Sequence, residues 1–103
     1  MKESYSNGSS WYRIYSDGWC EQGGISSREL RHEWEFVQLI KSYKDTNYSI
    51  ILGNHTEEDQ SNPISSSSST KLKKNNSFYI GTRYFPNYSD YALVIWQTSG
   101  YIA

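Results

Sequence analysis

The sequence has a single cysteine, so no disulfide can close within the chain, and no set of metal-ligand spacings surrounds Cys20. A buried free thiol is the expectation there, with a pairing between chains as the alternative. No excess of one charge sign exists: ten Lys and Arg against eleven Asp and Glu leave a net charge of −1 and a pI of about 6.1. That excludes the broad basic field of a nucleic-acid binder or of a protein drawn to anionic membranes. There is no apolar run long enough to span a membrane, and Met1-Lys2-Glu3-Ser4-Tyr5 leads into polar residues, not into the apolar core of a signal peptide. Aliphatic residues are also few, since hydrophobic residues make up only 36% of the chain. Aromatics are what it does not lack: ten Tyr, four Trp and three Phe, beside eighteen Ser and seven Asn. A disordered chain is poor in aromatics, so this one folds, on a core that draws on rings whose polar edges need partners. At 103 residues it makes one domain, and such a core is thin for a monomer.

Residues 1–10 read as a flexible lead-in, and 11–103 as a single domain. Trp11-Tyr12-Arg13-Ile14-Tyr15 is a strand by its aromatic and β-branched content. Asp17-Gly18 then signals a hairpin returning through Trp19-Cys20-Glu21-Gln22, with Gly23-Gly24 ending the strand. A two-residue turn would set Tyr15 opposite Cys20 and Arg13 opposite Gln22 on one side, Ile14 opposite Glu21 on the other. Both faces carry aromatics, so either both pack inside the domain or one meets another subunit. Residues 26–44 are ambiguous. Ser26-Ser27-Arg28-Glu29 matches a helix capping box with Leu30, Trp34, Val37 and Ile40 at helical spacing, while Trp34 and Phe36 alternate with Glu33 and Glu35 as in a strand.

Further strands are predicted at Asn47–Leu52, stopped by Gly53-Asn54, at Ser77–Tyr84 and at Tyr91–Gln97. Thr98-Ser99-Gly100 is expected to turn into a short apolar strand, Tyr101-Ile102-Ala103. Between Asn54 and Asn76 the chain is serine-rich and low in complexity, which reads as a projecting loop or a broken strand pair, with a short strand possible at Thr70–Lys73.

Catalysis finds little support. His32 and His55 lie apart with no nucleophile motif beside them, and Ser16-Asp17-Gly18 lacks the glycines of a nucleophile elbow. The pairs Glu33/Glu35 and Glu57/Glu58 read as solvated charge, not as a glycosidase dyad. His32 and Glu35 have helical spacing but no further ligand, and Lys71, Lys73 and Lys74 are too local for phosphate-backbone contacts. No enzyme activity, metal or cofactor is therefore expected. Sequons start at Asn7, Asn47, Asn54, Asn75 and Asn87. The abundance of Ser and Asn explains part of that number, and the lack of disulfides and signal peptide argues against glycosylation.

Recognition remains. Thr82-Arg83-Tyr84-Phe85-Pro86-Asn87-Tyr88-Ser89-Asp90-Tyr91 combines rigid aromatic area with adaptable polar groups, the composition of loops that bind varied surfaces. Arg83, Tyr84, Tyr88 and Tyr91 are the candidate receptor contacts. For Tyr84 and Tyr91, which sit beside strands, a place in the core is the stronger competing reading; Tyr88 is expected to be exposed.

One stretch is more specific. Ser10-Trp11-Tyr12-Arg13-Ile14-Tyr15-Ser16-Asp17-Gly18-Trp19-Cys20-Glu21-Gln22-Gly23-Gly24 closely resembles the WYR-x-x-SDGW-x-EQGG motif of bacteriophage tail-fibre C-terminal domains, found also in prophage-derived fibres. Trp96-Gln97-Thr98-Ser99-Gly100-Tyr101-Ile102 resembles that family's ending, and Asp45-Thr46-Asn47-Tyr48-Ser49 one of its strand openings. The resemblance implies an all-β, antiparallel sandwich-like tip, homotrimeric, at the distal end of a virion's tail fibre, binding a bacterial surface receptor, a glycan or a protein. It favours strand over helix for Glu33 to Ile40. It implies structural roles for Trp11, Tyr12, Arg13, Asp17, Gly18, Trp19, Glu21, Gln22, Gly23, Gly24, Trp96 and Gly100. Two rival readings are a carbohydrate-binding module of a non-phage surface protein and a trimerisation cap without receptor contact. A third, a fibre-borne depolymerase, needs paired acids in a groove that the sequence does not locate.

Overall fold

The computed structural model describes residues 2–27, 30, 33–55, 66–84 and 93–102. Among them every regular element is a strand: β1 Glu3–Ser6, β2 Ser10–Ile14, β3 Trp19–Ile25, β4 Trp34–Gln38, β5 Ser49–His55, β6 Ser66–Lys71, β7 Ser77–Tyr84 and β8 Leu93–Tyr101. They form two antiparallel sheets, a five-stranded one in the order β1-β2-β3-β8-β5 and a three-stranded one in the order β4-β7-β6. The sheets meet through Phe78 of β7 and Trp96 of β8, whose rings stand edge-to-face with centroids 5.6 Å apart. Around them lie Ile14, Cys20, Leu30, Val37, Leu39, Ile80 and Val94, all buried. The all-β expectation holds, and residues 34–38 are strand.

The hairpin forms at Asp17-Gly18, but one residue out of the expected register. Gly18 donates its N–H to Tyr15 O at 3.0 Å and Tyr15 donates to Trp19 O at 2.8 Å, so the loop has three residues, with Gly18 at φ 90° closing it. A type I turn followed by a left-handed glycine is the usual three-residue hairpin solution. Asp17 Oδ1 fixes it by accepting the Trp19 N–H at 3.0 Å. The observed pairs are therefore Ile14 with Cys20, Arg13 with Glu21 and Tyr12 with Gln22. A slip of one residue exchanges the faces of one strand relative to the other. Tyr12, Ile14, Cys20 and Gln22 now share the buried face, leaving Trp11, Arg13, Trp19 and Glu21 outside.

Five other expectations are corrected. Residues 1–10 are not merely a lead-in, because β1 pairs with β2, and Tyr5 stacks on Tyr12 at 5.6 Å. The Tyr12 hydroxyl donates to Glu3, and this hydrogen bond holds the Glu3 carboxyl below its usual value, assisted by Lys41 at 3.7 Å. Gly23-Gly24 does not end β3. A Cβ at Gly23 would lie 2.5 Å from the Trp11 indole, and one at Gly24 would lie 2.6 Å from the Trp96 indole. These neighbouring glycines are the floors on which two indoles rest, on opposite faces of one sheet. The serine run is partly strand, since β6 pairs residue for residue with β7 through its backbone. Finally, β8 does not turn at Thr98-Ser99-Gly100 but continues to Tyr101, and β5 runs past Gly53 to His55 alongside it.

Polar groups inside the sandwich are satisfied in pairs. Gln22, almost fully buried, donates Nε2 to Lys41 O at 2.9 Å and accepts the Lys41 N–H at 3.0 Å, so its amide imitates a strand neighbour for a backbone that has none. Tyr43 bonds Thr98 Oγ1 at 2.7 Å and stacks on Tyr48 with centroids 4.4 Å apart. Tyr48 in turn donates its hydroxyl to Lys74 O.

Burial pushes the Cys20 thiol up to about 11 and the Tyr48 phenol up to about 12, and raises Tyr43 as well. The unfolded chain ionises these groups first, the thiol from about 9 and the phenols from about 10. The stability they contribute is thus intact below pH 9 and is lost as pH climbs through 11 and 12. Each tenfold difference in proton affinity between the folded and unfolded chain is worth about 1.4 kcal/mol. Urea midpoints followed from about pH 8 to about pH 12 are expected to fall steeply over the upper half of that range. A flat profile would show that these groups are not buried.

Candidate functional site

Strand alternation divides the outer face of the five-stranded sheet into rows. The first holds Trp19 and Tyr101, which face each other across β3 and β8 with rings 5.0 Å apart at 77°. The second holds Arg13, Glu21, Ser99 and Ser49. The third holds Trp11, Gly23, Gln97 and Ile51, and the fourth Ile25, Ile95 and Gly53. Polar residues and the ring pair gather at one end; aliphatic side chains gather at the other, about 20 Å away along the strands. Ile51 is 66% exposed, Ile95 45% and Ile25 37%. A contiguous exposed apolar patch on one sheet face marks a contact surface, whereas single exposed aliphatics do not.

At the polar end a cavity of about 460 Å³ opens beside the ring pair. Its walls come from Trp19 at the start of β3, from Ser99, Gly100 and Tyr101 at the end of β8, and, within the segment 44–49, from every residue but Thr46. Local chemistry shapes that last segment. Asp45 Oδ1 accepts the Asn47 N–H at 2.9 Å, and Lys44 N donates to Tyr101 O at 2.9 Å, tying the turn to β8. The Lys44 ammonium lies over the Tyr101 ring, 5.7 Å from its centroid, and the Ser49 and Ser99 hydroxyls are bonded at 2.9 Å. Gly100 is required beneath, because a Cβ there would stand 2.7 Å from Tyr48 Cβ.

No family model, curated protein or solved structure matches the chain.

A second aromatic surface lies on the outer face of the three-stranded sheet. Trp34 sits over Gly81, where a Cβ would be 2.8 Å from the indole, and remains 42% exposed. Phe36 meets Tyr79 edge-on at 5.3 Å, and the Lys71 ammonium lies 4.4 Å from the Trp34 centroid and 5.4 Å from that of Tyr79. The alternation of Trp34 and Phe36 with acids holds along β4. The rings face outward, while Glu35 takes the Val37 side of β4 and accepts hydrogen bonds from the Ser27 N–H and hydroxyl.

Of the candidate receptor residues, Arg83 and Tyr84 close β7 opposite Ser67 and Ser66. Tyr88 and Tyr91 lie outside the described residues. The motif residues do come together. Trp11 covers Gly23, Trp96 covers Gly24, Arg13 lies 4.9 Å from the Trp11 centroid, and Tyr15 donates its hydroxyl to Glu21 at 3.1 Å. Sequence reasoning misses the groove, because Trp19 and Tyr101 meet only through the β3–β8 ladder and nothing local in either segment announces that pairing. Among the described residues, no cluster of three or more His, Cys, Asp or Glu could hold a metal ion.

Proposed function

We propose that the chain is the distal receptor-binding tip of a bacteriophage tail fibre, working as a homotrimer that attaches the virion to a glycan on a bacterial surface. The observation that carries this reading is the aliphatic end of the outer face, where Ile25, Ile51 and Ile95 stand uncovered beside one another on paired strands. A chain of this size gains stability by burying such a patch against further copies of itself. The tail-fibre motif, whose members pack against one another in the sandwich, supplies the biological setting. Arg83, Tyr84, Tyr88 and Tyr91 are its proposed receptor contacts. Each site alone would bind weakly, and three per fibre raise the effective concentration.

Sedimentation equilibrium at micromolar concentration is the direct test. A mass of three times the 12.0 kDa chain is the expected result. A stable monomer would overturn the trimer and with it the fibre-tip reading.

A further inference from the structure

We infer that the groove beside Trp19 and Tyr101 is a binding site for one neutral pyranose ring, presented by a surface polysaccharide. The inference deepens the adhesive reading above and rests on it for the source of the sugar, but the chemistry is that of the groove itself.

Two features select the class of ligand. The first is the ring pair. The Trp19 indole and the Tyr101 phenol, in edge-to-face contact at 77°, put aromatic surface at the edge of an otherwise polar groove. A sugar ring has one face rich in C–H groups and a rim of hydroxyls, and aromatic walls with a few fixed polar groups are how such amphiphilic ligands are oriented. The second feature is the mixture of polar groups. Lys44 only donates, an ionised Asp45 only accepts, and Asn47 with the Ser49–Ser99 hydroxyl pair does both. Neighbouring sugar hydroxyls each donate and accept, so they need such a mixture.

The same groups exclude competitors. One ammonium and one carboxylate leave the groove without net charge, so a phosphate or an acidic sugar would meet Asp45 as well as Lys44. An aliphatic peptide side chain would strip water from both charges and return no hydrogen bonds. The cavity, about 460 Å³, lies within the ordinary range for small-ligand sites. Its floor is fixed: Asp45 holds the turn, Lys44 N ties it to β8, and Gly100 admits Tyr48 beneath. The site is thus formed before the ligand arrives, which lowers the entropic cost of binding.

The test is a titration of the whole nitrogen-15-labelled chain with methyl glycosides of glucose, galactose, mannose, rhamnose and N-acetylglucosamine. At least one is expected to shift the Trp19 indole N–H and the Ser99 and Tyr101 amides saturably, with a roughly millimolar Kd. Binding should change little with added salt, since no net charge is matched. The double variant Asn47→Ala with Tyr101→Ser is expected to weaken it about tenfold or more. Asn47→Ala alone, a change at an exposed side chain, keeps the test open should the double variant not fold. It should lower affinity about threefold or more.

Saturable shifts confined to the Trp34 indole, or none with any of the five sugars, would overturn the site. An unchanged affinity in Asn47→Ala and in a folded double variant would do the same. Failure of the groove and failure of the trimer are distinguishable. A trimer without sugar shifts removes the groove and leaves the oligomer standing, whereas a monomer that binds sugar through Trp19 does the reverse.

Discussion

Valine at position 100 is expected to lower the stability of the fold by about 3 kcal/mol or more, the upper end of overpacking costs. The reason is what lies next to Gly100. A Cβ there would come within 2.7 Å of Tyr48 Cβ and 3.1 Å of Tyr48 Cα, with Tyr43 Cδ1 at 3.2 Å. Backbone cannot swing aside as a side-chain tip can. Tyr48 is pinned as well, by its stack on Tyr43, its hydroxyl bond to Lys74 O and the Lys73 ammonium that bonds its carbonyl. To accept valine, the start of β5 must move away from β8, opening the ladder at Ser49–Ser99 and deforming the groove floor. Gly53→Ala is the control. Nothing in the chain lies within 4 Å of a Cβ at Gly53, so within one chain alanine should cost nothing and gain up to about 1 kcal/mol by restricting the unfolded chain. Urea midpoints read by tryptophan fluorescence compare the two. A Gly100→Val midpoint equal to wild type would mean that β5 and β8 do not approach as described.

The second large effect concerns assembly. Ile25 and Ile95 are direct cross-strand partners on the outer face. In an isolated chain, replacing both by lysine puts charge where solvent already is, and the cost should stay near the roughly 0.5 kcal/mol of ordinary surface changes. In a trimer that buries this patch, two unpaired ammonium groups per copy would enter each interface, and unpaired buried charge costs several kcal/mol. The expected result is a folded chain of 12.0 kDa in place of the threefold species. A double lysine variant that keeps the wild-type oligomer would move the interface elsewhere, with the Trp34–Phe36 face of the second sheet as the next place to look.

Much of the strand content is readable from residue type. β2, β5, β7 and the apolar part of β8 announce themselves by aromatic and β-branched runs, because such side chains must be packed and a pleated sheet packs them, whereas β4 shares its spacing with a helix and only the tail-fibre resemblance favours a strand there. β6 does not, and the reason is physical. Its partners recognise its backbone, while Ser66–Ser69 offer no alternation from which a face could be read. The glycines mislead for a related reason. Gly23, Gly24 and Gly100 look like stops on conformational grounds, yet they are sites of close approach by Trp11 across the hairpin and by Trp96 and Tyr48 from segments far apart in the chain. The hairpin slip comes from loop length. Asp-Gly suits both two- and three-residue loops, and only the observed bond from Gly18 N to Tyr15 O tells them apart. As for the site, its aromatic members are visible as motif residues, but their convergence with Lys44, Asp45 and Asn47 depends on β3 pairing, on the edge away from β2, with β8, which is distant in the sequence.

The paired glycines of β3 place a constraint on how the chain can vary. Each indole fills the volume that a side chain at the glycine would need, Trp11 above one face of the sheet and Trp96 below the other. A larger residue at 23 is tolerable only with a smaller one at 11, and the same holds for 24 and 96. Positions 11 and 23 are thus sterically coupled, and 24 and 96 form a second such pair. Because the two pairs open on different faces, drift in one would reshape the outside of the molecule and drift in the other its interior.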